Sequence, residues 1–156
     1  MESSARVVEL LNELLTLELT AINQYFVHGK MCENWGFVRL ARKFREDAMA
    51  EMHDAEEIIE RILMLEGVPN VQRLGSVVVG ESAVEQLQLA LETEKGALAL
   101  LRQTILACDE ESDDGTRIFL EKSVGEEEGH VDWLETQLEL VRQVGEQNYL
   151  AQQIRE

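Results

Sequence analysis

Four glutamates stand where a helix packed into a core would place apolar residues: Glu18, Glu51, Glu94 and Glu127. Each interrupts a stripe that otherwise repeats in three- or four-residue steps: Leu14/Leu15 and Ile22/Tyr25 flank Glu18, Ala48 and Ala55 flank Glu51, Leu91 and Leu98 flank Glu94, and Val124 and Val131 flank Glu127. All four are expected to face inward. Any one of them, in so acidic a chain, would most simply be a solvated helix-face residue. Four interruptions at matching depth are hard to assign to chance. Buried carboxylates without compensation cost several kcal/mol apiece, so a tolerated cluster calls for cations.

The fourth glutamate opens the segment Glu127-Glu128-Gly129-His130, in which positions i and i+3 share a helix face, so a carboxylate and an imidazole can hold one metal. Oxygen ligands with imidazole suit iron or manganese, and the lack of thiolates argues against a structural zinc site. A dinuclear carboxylate site in a four-helix bundle takes one Glu from each of two helices and Glu-x-x-His from each of the others. Glu18 and Glu94 fill the first role, and Glu127 with His130 fills half of the second. The remaining segment reads Glu51-Met52-His53-Asp54, with no histidine at the required position. His53 cannot substitute, because two residues correspond to a rotation of ~200°, onto the opposite side of the helix. Asp54 points the right way. Its carboxylate can bind iron but is shorter than imidazole and adds negative charge, which lowers a metal's reduction potential and changes its coordination. Two readings stand: Asp54 is a sixth ligand, or it marks a lost metal contact and an impaired centre.

These residues need long helices to position them, and the 156-residue chain, with a single proline (Pro69), favours an all-α fold in one domain spanning 1–156. The first helix is expected over about 5–34, with Val8, Leu11, Leu14, Leu15, Ile22, Tyr25 and Phe26 in its stripe. After Trp35-Gly36, a second carries Phe44, Ala48, Ala55, Ile58, Ile62 and Leu65 to a stop at Gly67. Ser82 is a candidate N-cap for a third, with Leu87, Leu91, Leu98, Leu101 and Ile105, ending before Asp109. A fourth runs over 115–145 with Leu120, Val124, Val131, Leu134 and Leu138, and a short tail helix over 148–155 closes the chain. The two short joints make neighbours antiparallel. Residues 67–81 could extend to roughly 50 Å, enough to cross a helix of roughly 43 Å, which gives the long crossover of a ferritin-like bundle and makes the second and third helices parallel. Val77, Val78 and Val79 lead us to expect this crossover to pack as an extended segment.

A formal net charge of −17 opposes the phosphate backbone of nucleic acids and anionic membranes, and is compatible with attraction of metal cations. Met1–Val8 has no basic segment followed by an apolar run, and no stretch approaches the ~20 apolar residues of a membrane span, so a cytoplasmic location is expected. Cys32 and Cys108 have no metal-type spacing and are given no role.

The segments LNELLTLELTAINQYFVHGKM, NWGF, IERILMLEGVPN, EEEGHVDWLETQLEL and QNYLAQQIRE resemble the bacterioferritins, and the resemblance covers essentially the whole chain. It implies a hollow 24-subunit shell storing a ferric mineral core, a di-iron ferroxidase centre in each subunit, and haem b between two-fold-related subunits. Carried over by position, the metal ligands and catalytic residues fall on Glu18, Glu51, Glu94, Glu127 and His130, with the sixth ligand position occupied by Asp54. Tyr25 resembles the family's tyrosine beside the centre. The haem ligand falls on Met52, one residue and a ~100° rotation from Glu51, so it points out of the bundle toward a partner subunit. Leu19, Ile22, Asn23, Phe26 and Met49 would line that pocket. The resemblance also implies iron ions as substrate and an electron-donor ferredoxin as partner.

Three functions follow as expectations. The first is a ferroxidase and iron store acting alone, with Asp54 as sixth ligand. The second is a haem-bearing, ferroxidase-impaired subunit that forms a homo-oligomer or co-assembles with a second bacterioferritin subunit. The third is a metal-free helical scaffold.

Overall fold

The computed structural model describes residues 4–156, so the part of the N-terminal reading that falls on residues 1–3 lies outside the described residues. Five helices and no strand occur among the described residues: α1 (Ala5–Trp35), α2 (Val38–Met64), α3 (Ala83–Glu110), α4 (Asp114–Val144) and α5 (Glu146–Gln153). None is long and apolar enough to cross a membrane.

The helix ends have local causes. Ser4 caps α1 by accepting from the Val7 N–H at 3.2 Å, and α1 ends where Gly36 turns left-handed at φ 88°. The Ser82 side chain accepts from the Glu85 N–H at 3.2 Å and caps α3 as expected, while Asp113 accepts from Thr116 N–H at 3.1 Å to start α4. Three boundaries differ from expectation. The second helix stops at Met64, because Glu66 takes φ 63° before Gly67 is reached. The third continues through Glu110 and turns only at Ser112, φ 58°, with Asp109 paired to Arg117 at 3.2 Å and Glu110 paired to Arg6. The tail helix begins at Glu146, directly after Gly145.

The side-chain pairs fix helix directions. Along α1, contacts to α3 run from Arg6–Glu110 through Tyr25–Glu94 to Cys32–Gln86, so these two helices are antiparallel. Gly29 lies against Ala41 and Phe44 and Val8 lies against Gly67, so α1 and α2 are antiparallel as well. Helices α2 and α3 therefore run parallel, and residues 65–82 make the long crossover between them.

That crossover is held by a ladder of polar residues one turn apart on α1. The side chain of Asn12 bonds the Val68 carbonyl at 3.1 Å and the Asn70 N–H at 2.8 Å, Thr16 accepts from the Arg73 side chain at 3.2 Å, and Thr20 accepts from Gly75 N–H at 2.9 Å. Gln24 accepts from Val78 N–H at 3.3 Å, and His28 Nε2 accepts from Gly80 N–H at 2.9 Å. The valines expected to pack the segment do not carry it: Val77, Val78 and Val79 are exposed. The crossover is extended because its backbone is paired to α1, not because its side chains are buried.

The core divides in two. One apolar cluster includes Leu11, Leu15, Ile58, Ile62, Leu101 and Leu120, and the other includes Ala21, Phe44, Ala48, Leu87, Ala90 and Leu134. The four glutamates lie between them in sequence on every long helix, so a polar layer crosses the middle of the bundle. Phe26, placed in the inward stripe by periodicity, is instead exposed on the outside of α1.

Candidate metal centre

Because each glutamate sits near the middle of its helix, packing brings all four to one level, where they retain 2–7% of their accessible surface. Two groups of potential ligands result, each with its ligand atoms within 4.8 Å of one another: Glu51, Glu94, Glu127 and His130, and Glu18, Glu51, Asp54 and Glu127. Glu51 and Glu127 belong to both. The layer thus has two adjoining halves that share two carboxylates. All six residues singled out by spacing are brought together here, Asp54 among them.

The electrostatics of the site are those of many acids in little water. Burial, then the nearby Asp54 and Glu94, pushes the Glu18 carboxyl well above its ordinary range. Burial and the adjacent Glu94, with Glu18 and Asp54 behind it, raises Glu127. Glu94 goes the other way. Burial alone would raise it, but His130, Glu127 and the Tyr25 hydroxyl hold it below the usual value. Tyr25, itself buried, donates to Glu94 Oε1. His130 Nδ1 lies 3.7 Å from Glu94 Oε2 and 3.9 Å from Glu127 Oε2, and Glu94 raises its pKa against the effect of burial. Asp54 is half-buried, and desolvation, reinforced by Glu126 and Glu57, lifts it to about 6.

Whether these residues fit a metal is decided by their unused valences. Glu18 Oε2 and Glu127 Oε2 are buried with no hydrogen-bond partner among the described residues. Isolated buried carboxylate oxygens are costly, and a divalent cation would satisfy both. Beside them lies a cavity of about 20 Å³ lined by Glu18, Asp54, Glu57, Glu127 and apolar residues of four helices, room for about one water. The donor set of oxygens with one imidazole fits iron or manganese.

His53 points away, with an exposed side chain 3.1 Å from Glu57 Oε1, in agreement with the rotation argument. Met52 is 44% exposed on α2, one helical turn from the exposed Met49, and Phe26 is exposed on α1. Asp47 was missed by spacing alone. Its pKa is raised by burial and held back by Lys43, whose Nζ lies 3.0 Å from Asp47 Oδ1 and 4.8 Å from the centroid of the Trp133 ring. The signal was present: Asp47 precedes Glu51 by one helical turn on the same face.

Comparison with known proteins agrees with this architecture. The ferritin-like domain family matches residues 8–144. A bacterioferritin of Mycobacterium leprae is 49% identical over 152 residues, covering 97% of this chain and 96% of the relative. One from Rhodobacter capsulatus is 44% identical over 149 residues, and one from Brucella melitensis is 39% identical over the same length; each covers 96% of this chain and 92% of the relative. With a helical bundle, a long crossover and a mid-bundle carboxylate layer, the chain belongs to the bacterioferritin family.

Proposed function

We propose that this chain is an iron-storage subunit of the bacterioferritin type whose di-iron centre uses Asp54 in place of a histidine and oxidises Fe(II) more slowly for that reason. The observation that carries the reading is the pair of ligand groups sharing Glu51 and Glu127, with Asp54 inside one of them. Iron is the substrate. Glu18 and Asp54 would hold one ion, Glu94 and His130 the other, and the two shared carboxylates would fix their separation. Each Fe(II) gives one electron to dioxygen or peroxide and moves on as Fe(III) to the interior of a shell built from many copies.

The chain's own groups manage protons. The Tyr25 hydroxyl orients Glu94 through its hydrogen bond. Burial raises the carboxyls of Glu18 and Glu127, so cation binding there would displace protons. The added charge of Asp54 stabilises the ferric state and retards its exchange, which favours retention over turnover.

The exposed Met52, one helical turn from the exposed Met49, supports haem binding between two copies of α1 and α2, where Met52 would hold the group. Haem there supplies one-electron transfer. Aerobic Fe(II) oxidation by the purified assembly and by Asp54→His tests the assignment: a faster variant supports it, and equal initial rates refute an effect of Asp54. Haem content of Met52→Leu tests the second element, with retention of haem counting against Met52.

A further inference from the structure

Lysine and arginine are scarce in this acidic chain, yet three of its fourteen converge on one cavity. That cavity, of about 580 Å³, lies among α2, α4 and α5, away from the carboxylate layer. Its walls carry Arg39, Arg42 and Lys43 against a single acid, Glu46, although the chain as a whole has a formal net charge of −17. We propose that this cavity binds a phosphate group, held by Arg39, Arg42 and Lys43 and completed by the side-chain amide of Gln137.

The three cations do not stabilise the helix that carries them. They fall in the first two turns of α2, where the helix dipole favours acids and opposes positive charge, and the first turn holds no acid to balance them. Nor do neighbouring groups use them up. Arg39 has no ion-pair partner among the described residues, and its charge reaches the buried Tyr149 hydroxyl, where it opposes the rise that burial causes. Arg42 pairs with Glu156 at 3.0 Å, but both side chains are exposed, and such a pair exchanges readily. The Lys43 ammonium gives one of its three donors to Asp47 Oδ1 at 3.0 Å, which leaves two. Gln137 adds a neutral donor of fixed direction: its Oε1 accepts from the Tyr149 hydroxyl at 2.8 Å, so its NH2 end is the one left for a ligand.

This donor set selects phosphate among anions. Guanidinium forks match the paired oxygens of carboxylate and phosphate alike, but a carboxylate brings one charge and two oxygens to three cations, whereas phosphate brings up to two charges and more oxygens. Repulsion from the rest of the chain is screened beyond ~8 Å at physiological salt, so the nearby cations set the sign of the field in the cavity. The volume admits the free ion or the phosphate end of a nucleotide, two sources of the same group.

The test is equilibrium dialysis of the iron-free, full-length protein against radiolabelled inorganic phosphate or ATP at physiological salt. Saturable binding of about one phosphate per chain is expected, weakened about tenfold or more by Arg39→Gln and less by Arg39→Lys, which keeps the charge and loses the fork. Lys122→Gln, which removes an exposed cation of α4 outside the cavity, should leave binding unchanged. Inorganic phosphate bound at least as tightly as ATP identifies the free ion as the occupant, and tighter binding of ATP identifies a nucleotide. No binding of either at about millimolar concentration overturns the proposal. So does equal weakening by Arg39→Gln and Lys122→Gln, or displacement of phosphate by an equal concentration of acetate.

Discussion

Adding one methyl group at Gly80 tests how the crossover is joined to α3. A Cβ there would lie 2.7 Å from Gln86 Cγ, 3.0 Å from Gln86 N and 3.1 Å from Gln86 Cα. The last two atoms are backbone in the first turn of α3 and have little freedom to give way. The Gln86 side chain is no freer, since it is fully buried, donates to the Gly80 carbonyl at 3.0 Å and accepts from Cys32 Sγ at 3.2 Å. If the side chain yields, a buried carbonyl loses its donor at about 1–3 kcal/mol; if the backbone yields, overpacking costs about 1–3 kcal/mol. Reduced freedom of the unfolded chain offsets ~0.4–1 kcal/mol. Gly80→Ala should therefore destabilise the subunit by about 1–2 kcal/mol, or roughly 2–8 °C in Tm. Gly96, exposed within α3 with no other side chain or neighbouring helix within 4 Å of where a methyl group would stand, supplies the opposite sign: Gly96→Ala should stabilise by ~0.5–1 kcal/mol. Urea unfolding followed by circular dichroism, at equal subunit concentration, compares the two. A Gly80→Ala midpoint equal to or above that of Gly96→Ala would refute the close approach.

Three further outcomes follow from groups already described. His28, buried and accepting from Gly80 N–H, has its pKa lowered by burial to about 4. A depressed value means the neutral form is favoured on folding, so this stability is present above the ordinary value near 6.5 and is lost as pH falls through about 4; unfolding midpoints of the native chain should fall over that window, and those of His28→Gln should lack this component. Asp54, raised by burial to about 6, behaves in the opposite sense: its contribution is full below about 3.9 and lost as pH rises through 6. Metal-free Asp54→Asn should consequently be more stable than the native chain at pH 7.5 but not at pH 4, and equal pH profiles of the two would count against the assignment. Tyr25→Phe removes the donor to Glu94 inside the bundle and should cost about 1–3 kcal/mol in thermal or urea unfolding, with no loss indicating that another group satisfies Glu94.

The inward glutamates were legible because each breaks a three- or four-residue apolar rhythm, and the rotation argument separated Asp54 from His53 without coordinates. The direction of α3 was legible from the length of the crossover. What held that crossover was not. Asn12, Thr16, Thr20, Gln24 and His28 look like an ordinary solvated stripe, since their partners lie more than fifty residues away and all but that of Thr16, the Arg73 side chain, are backbone donors, which have no sequence signature. Asp47 escaped for a related reason: its partner Lys43 makes it look like a surface i, i+4 pair, although burial by the neighbouring helices raises its pKa. Phe26 was misplaced because periodicity finds an apolar face but does not say whether the chain's own core or a second copy covers it.

The α1 ladder also changes what kind of loop residues 65–82 form. Connecting segments of this length usually absorb insertions and deletions with little effect. Here the segment is threaded onto a helix through separate contacts at Asn70, Arg73, Gly75, Val78 and Gly80, one for each turn from Asn12 to His28. Adding or removing one residue would put every later contact out of phase with its turn. The error would be delivered to the N-terminus of α3 and then along that helix to the height of Glu94. The crossover works as a gauge that sets one helix axially against another, so the longest irregular stretch of the chain is the one least able to change its length.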